Sequence, residues 1–219
     1  MKTYNDIMTV LKDCEQELLQ VSVFSNALGE QDCVIIFDTD PADIVQRMRA
    51  LRRHLALKRL PMPLIVNREF VLSALDSYPL EFLNISMQYR NIFCKYDLLA
   101  ELKYNKADMR LQIERELKSK WLLTRMAILE RAQGSRRLAR LLRKSVNSIF
   151  PALKGFSYLA GMGVPSGIQE IVNNVAQITG LKLDIITQLS VSKQSDSQEA
   201  LQYLEVLHRL DLALDKIPL

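Results

Sequence analysis

The chain has 219 residues, 48% of them hydrophobic and 25% charged, with a formal net charge of +4 at pH 7. That is enough apolar material to bury a core in two modest domains, and too small a net charge to imply nucleic acid by itself. No run approaches the ~18 consecutive apolar residues of a membrane span, and Met1-Lys2-Thr3-Tyr4-Asn5-Asp6 has no apolar leader core, so a cytoplasmic protein with no membrane partner is the expectation.

From the N-terminus, Ile7, Met8, Leu11, Leu18 and Leu19 fall at helical spacing and predict a helix over 5–20, followed by a strand, Val21–Phe24. The turn Ser25–Gly29 leads into the apolar run Cys33–Phe37, which reads as a buried strand. Asp40 then caps a helix with Pro41 at its first position, running to about Arg59. Leu64–Val66 is a short strand, and Asn67 caps a short helix through Leu75. Leu80–Ile85 and Tyr89–Phe93 read as two further strands, joined as a hairpin. After about Asp97 the composition turns helical, which sets domains of 1–96 and 97–219.

In the second half, Asn105 and Asp108 open a long helix with Ile113, Leu117, Trp121, Thr124 and Ile128 on one face, ending near Gly134. A second helix begins near Ser135 and turns Leu138, Leu141, Leu142, Ile149 and Leu153 to the core; Pro151 kinks it or starts a new one. Gly161–Pro165 is a loop, followed by helices over 168–179, 183–189 and 197–216. The fold class is α+β (mixed), a small N-terminal α/β domain followed by a C-terminal helical bundle.

Candidate chemistry is sparse. Cys14, Cys33 and Cys94 stand too far apart for metal-ligand spacing and read as reduced, mostly buried thiols. His54 and His208 have no neighbouring nucleophile or ligand pattern, and Trp121 with Met109, Met126 and Met162 reads as core. No glycine-rich phosphate loop is present. Two acidic pairs flank the apolar strand, Glu30-x-Asp32 and Asp38-x-Asp40, and carboxylates at i, i+2 point to one side, as a divalent-metal site needs. The first pair also fits a solvated hairpin turn, and the second fits helix capping. Arg110, Glu114 and Lys118 recur at i, i+4, either as a surface ion-pair ladder or with the cations reaching a phosphate. Arg136, Arg140 and Lys144 share a helix face flanked by Arg137 and Arg143, either a solvated face or a surface for a protein partner or nucleic acid. Few aromatics interleave with them, so base stacking is not supported.

The segments Pro63–Val66, Asp76–Ile85 and Leu111–Lys120 resemble bacterial nucleotidyltransferase-domain proteins over most of residues 1–160. The resemblance implies an N-terminal α/β catalytic domain followed by a helical bundle. It further implies a Gly-Ser turn that approaches phosphates and an Asp-x-Asp pair binding Mg²⁺. Here Phe24 precedes Ser25 where the family has glycine, and only Asn26–Gly29 separate that serine from the acidic pair. The resemblance places Glu30 and Asp32 as metal ligands, Glu81 as a third carboxylate or catalytic base and Ser25 at the phosphate turn, while the helix spacing offers Arg110 and Lys118 as the nucleotide's phosphate contacts. The expectation is a nucleotidyltransferase-like protein with a degenerate active site, acting through a ligand or partner. The alternatives are an active enzyme that uses Mg²⁺ and NTP to transfer NMP to a small molecule or protein, and a binding module for nucleic acid or an acidic protein centred on Arg136–Lys144.

Overall fold

The computed structural model describes residues 4–25, 29–131, 135–163, 165 and 167–218. The expected turn at 26–28, the helix end at Gly134 and Val164 of the expected loop lie outside them. The fold is mixed α+β, and the chain forms two compact units, Met1–Asp76 with Phe82–Lys103 and Ser77–Glu81 with Tyr104–Leu219. No helix among the described residues is long and apolar enough to cross a membrane.

The first unit opens with a short helix α1 (Met8–Leu11) and a 3-10 turn (Lys12–Cys14), not one helix through residue 20. Leu18 and Leu19 belong instead to strand β1 (Leu18–Ser25), because they continue the apolar run into Val21 and Val23. Strand β2 (Gln31–Phe37) pairs antiparallel with β1, with Ser25 opposite Gln31 and Phe24 opposite Asp32. Helix α2 (Ile44–Lys58) begins three residues later than its sequence suggests. The Asp40 carboxylate accepts from Asn67 Nδ2 at 2.9 Å and does not cap α2. Strand β3 (Leu64–Asn67) runs parallel to β2, and Asn67 Oδ1 accepts from Phe70 N at 2.8 Å to cap α3 (Arg68–Ser73). Strand β4 (Tyr89–Cys94) completes the sheet in the order β3-β2-β1-β4.

Alternation gives the sheet two different faces. Val21, Val23, Cys33, Ile35 and Phe37 pack with Ile7, Leu11, Leu51 and Leu55 in one apolar core. The opposite face carries Val34 and Ile36 but also two fully buried polar side chains, Gln20 and Ser22. Asp97, the N-cap of α5 (Leu98–Glu101), answers them. Gln20 Nε2 donates to Asn91 Oδ1 at 2.9 Å and to Asp97 Oδ1 at 2.8 Å, and Ser22 Oγ donates to Asn91 Oδ1 at 2.6 Å. Tyr89 OH and Asn91 Nδ2 donate to the two Asp97 oxygens at 2.7 and 2.9 Å. Burial alone pushes the Asp97 carboxyl up, but the donors from Tyr89, Asn91 and Gln20 outweigh it and hold the group below the usual carboxylate range. Cys33, buried in the apolar core, has its thiol pushed up to about 12 by burial and by Asp32. All three cysteines are free, and Cys94 is exposed.

Leu80–Ile85 is a helix, not a strand: α4 spans Pro79–Met87. Proline at the first helical position is compatible with this, and six residues of mixed apolar pattern fit either period.

The second unit is built on α6 (Lys106–Arg131) and α7 (Ser135–Leu159), packed against each other. Asn105 caps α6 by accepting from Ala107 N at 2.7 Å. Helix α7 runs unbroken through Pro151. Helices α8 (Ile168–Thr179) and α9 (Asp184–Val191) pack on α7, and α10 (Ser197–Leu214) packs on α6. The Asp196 carboxylate and Glu199 form a reciprocal capping box at the start of α10. Residues about equally far from the α6–α7 connection meet: Ile113 lies against Gly155, and Thr124 Oγ1 is 2.6 Å from Ser145 Oγ.

Candidate partner-binding cleft

The nucleotide-site candidates are divided between the two units. Ser25 ends β1 and is exposed, Glu30 precedes β2 and is exposed, and Asp32 is the second residue of β2. The β1–β2 pairing brings all three to one end of the sheet. Glu81 is in the first turn of α4, not on a strand, and belongs to the second unit. It is held there by Gln112, whose Nε2 donates to Glu81 Oε2 at 2.6 Å while its Oε1 accepts from Leu80 N at 2.8 Å. Among the described residues, no three His, Cys, Asp or Glu side chains converge on a metal position.

Arg110 and Lys118 have protein partners. Arg110 donates to the backbone carbonyl of Ile217, and Lys118 pairs with Glu114 and lies 3.9 Å from Asp211. The hydrogen bond to Glu114 raises the Lys118 ammonium above its ordinary range, and the Asp211 and Glu114 charges add to that. The second acidic pair is also engaged, since Asp38 lies 3.6 Å from Arg68 and Asp40 accepts from Asn67.

The basic residues of α7 differ. Arg136, Arg137, Arg140 and Lys144 are exposed and Arg143 is half-buried, and among the described residues none of the five has an ion pair or side-chain hydrogen bond. Arg137, Arg140 and Lys144 line an open cleft of about 850 Å³ between α6 and α7. Lys120 joins them from α6, and among the described residues no acidic side chain lines it.

The rest of the lining is apolar or small, including Leu123, Leu138 and Leu141. Leu123 is 56% exposed, and Leu141, expected in the core, is half-exposed. Thr124, Ser145 and Ser148 form the polar part, and Ser145 Oγ is 3.1 Å from the Tyr203 hydroxyl of α10. Burial holds the Tyr203 phenol above its ordinary range, although Ser145 opposes the shift, so the group stays neutral and its chain of hydroxyls ties α6, α7 and α10 together.

The cluster on α7 was legible from the sequence, whereas Lys120, Leu123 and Leu141 were not placed with it. The signal was the short connection between two long helices: antiparallel neighbours bring residues equidistant from the turn face to face. Trp121 and Met126 also depart from expectation. Trp121 is half-exposed beneath the Arg125 guanidinium, 5.0 Å from its ring centroid, and Met126 is 48% exposed.

Comparison with known proteins finds no matching family model, no matching curated protein and no matching solved structure.

Proposed function

We propose that this protein is a binding module whose α6–α7 cleft takes an acidic, amphipathic helical segment of a partner protein. The observation that carries the reading is the lining: Lys120, Arg137, Arg140 and Lys144 beside Leu123, Leu138 and Leu141, with no acid among them. Four cations without carboxylates attract an anionic partner, while Leu123 and Leu141, left partly in water over the buried Leu138, favour a partner with its own apolar stripe. Among the described residues no aromatic side chain lines the cleft, so they offer no stacking platform of the kind single-stranded nucleic-acid sites use.

The test is fluorescence anisotropy with a labelled helical peptide carrying glutamates on one face and leucines on the other, and with a single-stranded RNA as competitor. The reading expects saturable peptide binding that weakens with salt and falls at least about tenfold in Arg137→Glu/Lys144→Glu. Binding of the RNA alone, or peptide binding indifferent to the double variant, would sink it.

A second reading rests on the β1–β2 hairpin, which sets Ser25 opposite Gln31 and therefore beside Glu30 and Asp32. On that reading the first unit is nucleotidyltransferase-like, with Glu30 and Asp32 supplying the carboxylates of a Mg²⁺–nucleotide contact. Calorimetric titration with ATP and GTP, with and without Mg²⁺, tests it. Metal-dependent binding lost in Asp32→Ala supports the reading, and no heat at millimolar nucleotide removes it.

A further inference from the structure

On the other side of the α7 basic ridge lies a smaller notch of about 360 Å³, lined by Arg136, Arg140, Arg143 and Lys193, with Ser192 and Gln194. Arg140 lines both the notch and the α6–α7 cleft. Three of the cations rise from successive turns of α7, and the fourth comes from the connection between α9 and α10, so two separate elements aim positive charge at one small volume. None of the four has an ion pair or side-chain hydrogen bond among the described residues. The acid nearest Lys193 in sequence, Asp196, accepts the Glu199 N–H at Oδ1 at 2.8 Å and is not among the residues that line the notch.

One carboxylate carries a single negative charge and two acceptor oxygens, which leaves four such cations largely unneutralised. A phosphate monoester carries close to two charges and three acceptor oxygens, and arginine forks match that geometry. We infer that the Arg136–Arg140–Arg143–Lys193 notch is a phosphate-recognition site that reads a phosphorylated serine or threonine on the acidic segment occupying the adjoining cleft. The inference rests on the cleft reading for the identity of the carrier, and Arg140 is the residue through which the two sites are continuous. Binding is then regulated: the acidic helix docks weakly, and phosphorylation at one end adds charge-assisted hydrogen bonds in the notch.

The experiment uses the full chain and three labelled peptides, the acidic amphipathic helix and the same peptide with phosphoserine at its N- or C-terminal end. A parallel NMR titration uses inorganic phosphate at constant ionic strength against sodium chloride. Phosphoserine at one end is expected to tighten binding about tenfold. Arg143→Ala/Lys193→Ala is expected to abolish that gain while leaving the unphosphorylated peptide within about twofold of its parent affinity, with helix content checked by circular dichroism. Inorganic phosphate is expected to shift the amides of 136–143 and 192–194 saturably.

Phosphorylation that adds nothing at either end, or a gain that survives the double variant, overturns the inference, as does phosphate that perturbs the notch no more than chloride. If phosphate and the phosphopeptide both engage the notch while the unphosphorylated peptide fails to bind, the cleft reading falls and the notch stands. If the unphosphorylated peptide binds and phosphate does not, the notch falls and the cleft stands.

Discussion

Around Asp97, the side chains of Gln20, Ser22, Tyr89 and Asn91 answer one another at 2.6 to 2.9 Å, whereas along α7 five cations stand beside clefts that no acid among the described residues lines. Both are polar constellations, but burial separates them. Gln20 and Ser22 are fully buried, so each unsatisfied group there costs free energy, and the chain has supplied a partner for every donor described. The arginines of α7 keep their hydration and need no partner to fold. Charge that folding does not use is free for a ligand, and this makes the helical unit the better place to look for function.

The largest effect should come from breaking the buried network. Asp97→Ala removes the acceptor of Gln20, Tyr89 and Asn91 and the N-cap of α5, and is expected to cost about 3 kcal/mol from an orphaned buried amide plus a lost cap. Urea denaturation with an unchanged slope and a lowered midpoint would show it. The pH dependence has a fixed sign: Asp97 is depressed in the fold below its ordinary value of 3.8, so the unfolded chain takes up its proton first. Its contribution is present above that value and is lost as the pH falls through the folded pKa. In Asp97→Asn that part of the acid loss should vanish, and an acid-unfolding profile identical to the parent would refute the network's role.

The next effect concerns the helical hairpin that forms the cleft. A Cβ at Gly155 would stand 2.7 Å from both Ile113 Cδ1 and Leu80 Cδ2, closer than packed carbons approach. Gly155→Val should therefore cost about 1–3 kcal/mol by overpacking. Because the same helix pair lines the cleft, the variant should weaken acidic-peptide binding as well as stability. A peptide affinity untouched in a destabilised Gly155→Val protein would show that the cleft does not depend on this crossing.

Third comes a change with almost no effect on folding. Arg140→Glu alters an exposed side chain with no described partner and should leave stability within about 0.5 kcal/mol of the parent. Acidic-peptide affinity should nonetheless fall about tenfold, and its dependence on salt should flatten. A thermal midpoint that dropped by several degrees would mean the arginine has a structural partner and would weaken the contrast with Asp97.

Much of this architecture was legible in the sequence, and the failures have physical reasons. The apolar run of β2, the Asn67 cap and the two long helices follow from local chemistry and fall at nearly the positions the sequence predicts. Leu18 and Leu19 mimic a helix because two leucines satisfy a 3.6 period as readily as they extend an apolar strand. The run Leu80–Ile85 resembles a strand although Pro79 signals a helix start, because Glu81 between two apolar residues mimics alternation. At the cleft, the α7 cations declared themselves by i, i+4 spacing, but Lys120 and the leucines joined them only through pairing of α6 with α7. The network around Asp97 was invisible, since residues some seventy apart in sequence meet only through the β1–β4 register.

The smallest predicted effect tests the rule from the opposite side, with a half-buried acid that the fold has not fully satisfied. Asp211 on α10 has only 16% of its side chain exposed, its Oδ1 has no hydrogen-bond partner, and Lys118 stands 3.9 Å away while it pairs with Glu114. Burial raises the Asp211 carboxyl above its ordinary range, Lys118 offsets part of that, and the charges of Glu114 and Asp215 push it further up. A raised carboxyl reverses the sign found for Asp97: the folded chain holds this proton more tightly, so ionised Asp211 lowers stability at neutral pH, and the loss is relieved as the pH falls through the folded pKa. Asp211→Asn should therefore stabilise the protein at pH 7 by less than about 1 kcal/mol, the weak Lys118 contact being a small loss against the desolvation removed. Melting curves of parent and variant between about pH 7 and about pH 4 should converge as the parent takes up its proton. A variant less stable than the parent at pH 7 would mean that the Lys118 pair outweighs burial, and that an acid in this bundle can be satisfied by charge without the hydrogen bonds that Asp97 receives.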